Sequence, residues 1–166
     1  MGYEKAANYW KQQESCTAQA NKEPVTSEVQ KFISSHNTCA LATGFGTQVR
    51  CTPIEYTYWD DCFWLLSEGG EKFRNLKENK NVSLAIFDSY TGFSGLGGMQ
   101  ITGKAQIIEP WSEDYLALLA FKKIPESALR KLDHPMYLIR IKPIYIEFLY
   151  SGFKKLGLDS RQQILY

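Results

Sequence analysis

The residues of this chain with the most evident chemical potential lie between positions 49 and 84. Arg50 and Thr52 are two residues apart and share one face of a predicted strand. Lys72 falls in the first turn of a predicted helix, where unsatisfied backbone N–H groups and the positive end of the helix dipole favour an anion. Ser67 ends the strand between them. Because a phosphate group selects cationic and hydroxyl donors, this set predicts a site for one small anion.

The alternative interpretation is that these charges belong to ordinary surface residues. An arginine in a strand and a lysine in an exposed helix are most often solvated. Gly69 and Gly70 favour the anion site, since they let the backbone turn tightly into the start of the helix. The sequence contains no G-x-G-x-x-G fingerprint and no recognisable Ser-His-Asp set, so we predict no catalytic residue.

The four cysteines, Cys16, Cys39, Cys51 and Cys62, occur singly, without a C-x-x-C motif. Free thiols are the expectation for such cysteines in a reducing compartment. His36 and Cys39 form an H-x-x-C pair, but no second pair supplies the remaining ligands of a zinc site, so we expect no metal.

Length and composition indicate one globular domain without extreme charge. A chain of 166 residues can bury one substantial core. The net charge of +1 gives no reason to expect a nucleic acid or an anionic membrane as partner. There is no apolar run of ~18 residues for a membrane span. Polar residues stand where a signal peptide needs an apolar stretch, which favours a cytoplasmic protein.

The hydrophobic pattern predicts strands joined by tight turns, with helices between only some of them. Ser27 and Gln30 form a capping box that would start a helix. Pro53 donates no N–H, so its strand must lie at a sheet edge or contain a bulge. This order favours an antiparallel barrel of residues 25–166 that follows a helical arm of residues 1–24. The predicted strands are 38–43, 49–58, 62–67, 82–88, 99–108 and 136–150 (one bent strand or a pair), and the predicted helices are 27–35, 71–78, 111–121 and 125–132.

Several segments together resemble the pyridoxamine 5'-phosphate oxidase-like superfamily of split barrels that bind flavin mononucleotide (FMN). The segments that carry the resemblance are Arg50-Cys51-Thr52-Pro53, Gly69-Gly70-Glu71-Lys72-Phe73-Arg74-Asn75-Leu76, Asn79-x-x-Val82-Ser83-Leu84, Ile101-Thr102-Gly103-Lys104-Ala105, Pro143 and Ile146-Glu147-Phe148. The resemblance implies a mainly β fold with α insertions, an antiparallel split β-barrel. It also implies a homodimer with two FMN molecules at the subunit boundary.

The resemblance further implies which residues bind the cofactor. The cations at positions 50 and 72 would hold the phosphate, and the segments 50–53 and 65–67 would line the flavin. The full set of expected cofactor-binding residues is Arg50, Cys51, Thr52, Pro53, Leu65, Leu66, Ser67, Lys72, Asn75 and Gln100.

Some positions depart from the pattern of the true vitamin B6 oxidases. Glu71 stands where those enzymes carry an arginine, and Gly98 stands where they carry a glutamine. Leu149 replaces a tryptophan, and Lys155-Leu156-Gly157 replaces an R-L-H motif that binds the substrate. The substrate histidine is therefore absent, and we do not expect oxidation of vitamin B6.

The sequence leaves more than one function open. The first is an FMN-dependent oxidoreductase acting on a small molecule, with NAD(P)H as a candidate electron donor. The second is a non-catalytic flavin- or heme-binding protein of storage or stress response, and the third is a small-molecule carrier without flavin. A deazaflavin in place of FMN is also compatible with the residues.

Overall fold

The computed structural model of the chain describes residues 2–5, 8–9 and 22–166. Cys16 and most of the predicted helical arm, residues 1–24, lie outside these residues. The described part contains one mixed arrangement of strands and helices, whose bounds follow in chain order. They are α1 (Lys22–Ser35), β1 (Thr38–Phe45), β2 (Gln48–Glu55), β3 (Thr57–Trp59), β4 (Cys62–Ser67), α2 (Glu71–Glu78), β5 (Asn81–Phe87), β6 (Gly97–Ile108), α3 (Glu113–Lys122), α4 (Glu126–Leu129), β7 (Tyr137–Tyr150) and β8 (Arg161–Leu165).

Within the described residues, the eight strands form one antiparallel sheet in the order β2-β1-β5-β6-β7-β4-β3. The last strand, β8, pairs with the C-terminal half of β7, while β4 pairs with its N-terminal half. The sheet is a split barrel, so the predicted fold class is confirmed. The long strands β6 and β7 are its centre, and the glycine turn before α2 lies at the end of β4.

The main core lies on one face of the sheet because apolar residues alternate along each strand. Leu41 of β1, Leu84 of β5 and Ile101 of β6 are fully buried on this inner face. Helix α1 covers it with Val29 and Ile33. The alternation predicted for residues 99–108 is confirmed, with the even-numbered residues from 100 to 106 pointing to solvent.

A second, smaller core lies on the other face of β4 and the first half of β7. Trp64 and Leu138 pack there against Tyr115, Leu118 and Leu119 of helix α3. The strand β4 is therefore buried on both faces, which explains its nearly continuous apolar run. This two-sided burial fixes the position of Ser67, where the chain leaves β4.

The first helix begins earlier than the capping box predicted. It starts at Lys22, not at Ser27, and it passes through Pro24. A proline is tolerated in the first turn of a helix because its missing N–H would have no intrahelical partner there. The strong local signal of Ser27 and Gln30 therefore lies inside the helix and does not start it.

The strand predicted over residues 49–58 is two strands, β2 and β3, separated by Tyr56. The backbone N–H of Tyr56 bonds to the carbonyl of Asn37, and its buried hydroxyl donates to the carbonyl of Ile33 at 2.6 Å. Pro53 lies in β2, which is an edge strand of the sheet, as predicted. Residues 137–150 form one strand, with a bulge in the β6–β7 pairing opposite Pro143.

The ends of β4 and helix α2 agree with the prediction. Strand β4 spans Cys62–Ser67, α2 spans Glu71–Glu78, and Asn79 is its C-cap. Strand β8 and the 3-10 segment Ser151–Leu156 were not predicted. None of the helices in the described part of the chain has the length and hydrophobicity that crossing a membrane requires.

Close packing at the bulge predicts a stability difference between two glycines of β6. A Cβ at Gly103 would lie 2.8 Å from Ile141 Cγ2 and 2.8 Å from the carbonyl oxygen of Lys142, whereas a Cβ at Gly98 would meet nothing within 4 Å. We expect Gly103→Ala to lower the free energy of unfolding by roughly 1–3 kcal/mol, as overpacking does. Gly98→Ala is the matched control and should change it by less than about 0.5 kcal/mol. Equal effects in urea unfolding would contradict this packing.

Candidate functional site

The turn between β4 and α2 depends on two glycines with positive φ. Gly69 has φ +129° and Gly70 has φ +98°, backbone conformations that other residues rarely adopt. Gly70 is also the N-cap of α2, and it has no side chain to accept hydrogen bonds from the first turn. The N–H groups at this helix start can therefore serve an external acceptor, and the positive end of the dipole favours an anion.

Lys72 and Ser67 meet at this turn. The Nζ of Lys72 donates to the carbonyl oxygen of Gly69 at 2.5 Å. The hydroxyl of Ser67, which is buried, lies 3.3 Å from the Gly69 nitrogen and 3.4 Å from its carbonyl oxygen. Lys72 is half-buried, and this desolvation lowers its pKa below the ordinary 10.5. A cation that has lost part of its hydration without a carboxylate partner is well suited to receive an anion.

A buried hydrogen bond connects helix α2 to strand β1. Asn75 is 4% exposed, and its Nδ2 donates to Thr43 Oγ1 at 3.2 Å and to the Thr43 carbonyl at 3.3 Å. Asn75 follows Lys72 by one helical turn, so the two lie on the same side of α2. Asn79, one further turn along, donates to the carbonyl of Gly44 at 2.8 Å. The helix is thereby fixed along the end of β1.

This connection brings Arg50 to the same region. Arg50 of β2 is directly opposite Thr43 in the β1–β2 pairing. Side chains opposite each other in an antiparallel pair point to the same face, so Arg50 and Thr52 point to the face that α2 covers. Arg50 is exposed and Thr52 is half-buried. Arg50 and Lys72 therefore flank the Thr43–Asn75 hydrogen bond, from a strand and from a helix.

The acidic residue at the helix start has a partner of its own. Glu71 forms an ion pair with Arg74 at 3.1 Å, and both side chains are more than half exposed. An exposed pair of this kind contributes little to stability. It does, however, draw the Glu71 carboxylate toward Arg74, which reduces its repulsion of an anion at the turn.

Other expected site residues lie elsewhere. Leu65 is fully buried in the main core, and Leu66 packs against the second core on the opposite face of β4. Cys51 and Pro53 are exposed on the face of β2 that points away from Arg50. Gln100 also points outward, from β6. The structure thus brings Arg50, Thr52, Ser67, Lys72 and Asn75 toward one end of the barrel, and leaves these five apart from them.

Gln100 lies in a groove on the outer face of the sheet. The groove has a volume of about 230 Å³ and crosses strands β5, β6, β7 and β8; its lining includes Ala85, Phe87, Gln100, Glu147, Leu149 and Arg161. Sequence reasoning identified neither this groove nor Thr43. The inward position of Thr43 in the alternation of β1 was the one available signal for Thr43, whereas the groove depends on β8, which had no strong strand signal.

The cysteines and histidines supply no metal site. Cys39, Cys51 and Cys62 are free thiols, and burial raises the pKa of Cys39 to about 12. His36 Nε2 lies 3.0 Å from Asp88 Oδ1, and His134 is exposed. In the part of the chain that the structure describes, no three His, Cys, Asp or Glu residues are grouped to hold a metal ion.

Solved structures of related fold include proteins of different kinds. A FAD-binding protein from Mesorhizobium loti is 18% identical, with 73% of this chain and 89% of that chain covered and a TM-score of 0.60. HutZ, the heme storage protein from Vibrio cholerae, is 20% identical over 70% of this chain and 88% of that chain, with a TM-score of 0.59. General Stress Protein 26 from Bacillus anthracis is 15% identical over 86% and 98%, with a TM-score of 0.59. At these identities the likeness concerns the fold alone.

Comparison with sequence families gives a more specific result. No curated protein matches the sequence. A family model described as pyridoxamine 5'-phosphate oxidase matches residues 25–150, a segment that runs from α1 to the end of β7. Because this match spans most of the chain and includes the turn that joins Ser67 to Lys72, the chain belongs to the pyridoxamine 5'-phosphate oxidase family.

Proposed function

We propose that this protein binds FMN and is an FMN-dependent oxidoreductase acting on a small molecule. The single observation that carries the proposal is the arrangement of Lys72 and Arg50 about an uncapped helix start that follows two glycines. Family membership supports a flavin, and the M. loti protein of the same fold is described as FAD-binding. When bound, FMN supplies the hydride and electron transfer chemistry, for which the protein needs only to bind and position it.

The residues at the turn fit a phosphate monoester. An ammonium group has three donors, and the bond to Gly69 uses one, so Lys72 keeps two for phosphate oxygens. Arg50 offers a planar guanidinium suited to two-point contact with phosphate. Thr52 and Ser67 add hydroxyl groups, and the helix start adds backbone N–H donors. We assign phosphate binding to Arg50 and Lys72, and positioning of α2 to Asn75.

Oxidation of vitamin B6 is not part of this proposal. In the sequence, Lys155-Leu156-Gly157 stands where the true oxidases carry the motif that binds their substrate. Lys155 and Leu156 are exposed in the 3-10 segment after β7, so they enclose no substrate pocket. The substrate is therefore a different small molecule, and the proposed reaction class rests on the cofactor.

A heme-binding function is the second candidate, because HutZ of the same fold is described as a heme storage protein. Heme iron in proteins is held by axial ligands such as histidine. His36 Nδ1 lies 2.8 Å from the carbonyl of Phe32 and its Nε2 faces Asp88, so both ring nitrogens are engaged. His134 lies between α4 and β7, outside the phosphate site. The donor set at Lys72 favours FMN over heme.

We also propose that the protein is a homodimer, as the resemblance implies. Strand β2 is an edge strand, and five of its eight residues alternate poorly because they are exposed on both faces. Val49 is 77% exposed on this edge. An exposed apolar edge strand readily pairs with another chain, and native proteins usually cover it. A second copy of the chain is the occupant that we assign to it.

The phosphate site predicts a difference between two flavins. Arg50→Ala and Lys72→Ala should each weaken FMN binding by roughly 1.5–3 kcal/mol, the range for a charge-assisted hydrogen bond, which is about tenfold to hundredfold in Kd. Riboflavin lacks the phosphate and should bind the wild type weakly, with almost no change in either variant. Quenching of flavin fluorescence measures all of these affinities.

Lys77→Ala is the matched control, since Lys77 is exposed in the last turn of the same helix. It should leave FMN binding unchanged. If Lys72→Ala weakens riboflavin as much as FMN, Lys72 does not bind the phosphate. Bleaching of the bound flavin by NAD(P)H tests the oxidoreductase; a flavin that no nicotinamide or other reductant reduces would favour a storage role.

The dimer proposal predicts a mass of twice 19.0 kDa in sedimentation at micromolar concentration. Val49→Lys places a charge on the exposed edge and should shift the protein toward the monomer. Leu132→Lys is the control, because Leu132 is an exposed apolar residue beyond α4, on the side of the second core. A 19.0 kDa species with flavin bound would refute the proposed dimer.

A further inference from the structure

The groove on the outer face of the sheet has a flat floor. Ala85 of β5 and Gly98 of β6 present almost no side chain there, and a Cβ at Gly98 would meet nothing within 4 Å. Leu149 of β7 and the exposed ring of Phe87 add apolar walls. A volume of about 230 Å³ on such a floor suits one flat ring of small size.

Three polar side chains converge at one side of this floor. Gln100 and Glu147 are directly opposite each other in the β6–β7 pairing. Arg161 of β8 is opposite Leu149, which places it diagonally beside Glu147. Arg161 Nη1 lies 3.7 Å from Glu147 Oε1, a distance longer than a hydrogen bond. The groove therefore presents a carboxylate acceptor and a guanidinium donor side by side.

A primary carboxamide is complementary to this pair. Its N–H can donate to Glu147 while its carbonyl oxygen accepts from Arg161, and the Gln100 amide can serve either atom. A carboxylate on the same ring would place one oxygen against Glu147, where like charges repel. An apolar ring without the amide would leave the polar groups without compensation for their lost water.

We propose that this groove is a binding site for a flat heterocycle that carries a primary carboxamide, of which nicotinamide is the simplest example. The site lies on the sheet face that points away from Arg50 and is built from other strands. Its occupation therefore stands or falls separately from binding of FMN at Lys72.

Saturation of the purified protein with nicotinamide, followed by ligand-observed NMR, tests the site directly. We expect saturable binding with a Kd on the order of 1 mM, as is usual for a ligand of this size. Nicotinate should bind at least about tenfold more weakly. Glu147→Gln should reverse this preference, because the neutral side chain no longer repels the carboxylate while Arg161 still attracts it. A variant that gains nicotinate binding cannot be misfolded at the groove.

Gly98→Val fills the floor of the groove without a clash and should abolish binding of both ligands, while FMN binding remains as in the wild type. Glu23→Gln removes the same charge from an exposed position in α1 and should leave the preference unchanged. Equal affinities for nicotinamide and nicotinate in the wild type would overturn the proposal. So would the absence of saturable nicotinamide binding in protein that binds FMN.

Discussion

The buried hydrogen bond from Asn75 to Thr43 is the constraint on which the proposed site depends. It fixes helix α2 against strand β1 at a point where both partners are almost fully buried. Without a partner, either polar side chain would cost about 1–3 kcal/mol of stability. Because Thr43 is opposite Arg50 and Asn75 follows Lys72 by one turn, this one contact determines how the strand cation and the helix cation are placed relative to each other.

The rest of the fold supports this arrangement from both sides. Burial of β4 on two faces holds Ser67 rigidly at the end of the strand, and Gly69 and Gly70 then turn the chain directly into α2. The main core occupies the interior of the barrel, so ligand chemistry is confined to its end and its outer face. A rigid scaffold with charged groups at a turn is a common way to preorganise an anion site at little cost at the moment of binding.

Local signals made part of this structure predictable. The glycine pair, the apolar run of β4 and Asn79 were sufficient to place Cys62–Ser67 and Glu71–Glu78. The resemblance added the family, but it could not show that the Leu65 side chain is enclosed in the core. Long-range contacts were not predictable: the Asn75–Thr43 bond joins residues 32 positions apart, and β8 becomes a strand only because β7 offers it an edge.

The pH dependence of phosphate recognition tests the central claim most directly. Burial lowers the pKa of Lys72 in the free protein, and a bound phosphate raises it, so phosphate binding is favoured while the lysine is charged and is lost as pH rises through its pKa. The ratio of FMN to riboflavin affinity, in which titration of the shared ring cancels, should therefore fall with rising pH below the ordinary 10.5. In Lys72→Arg, which stays charged, the ratio should remain constant. A ratio that does not change with pH in the wild type, or that falls equally in Lys72→Arg, would contradict the assignment of Lys72 to the phosphate.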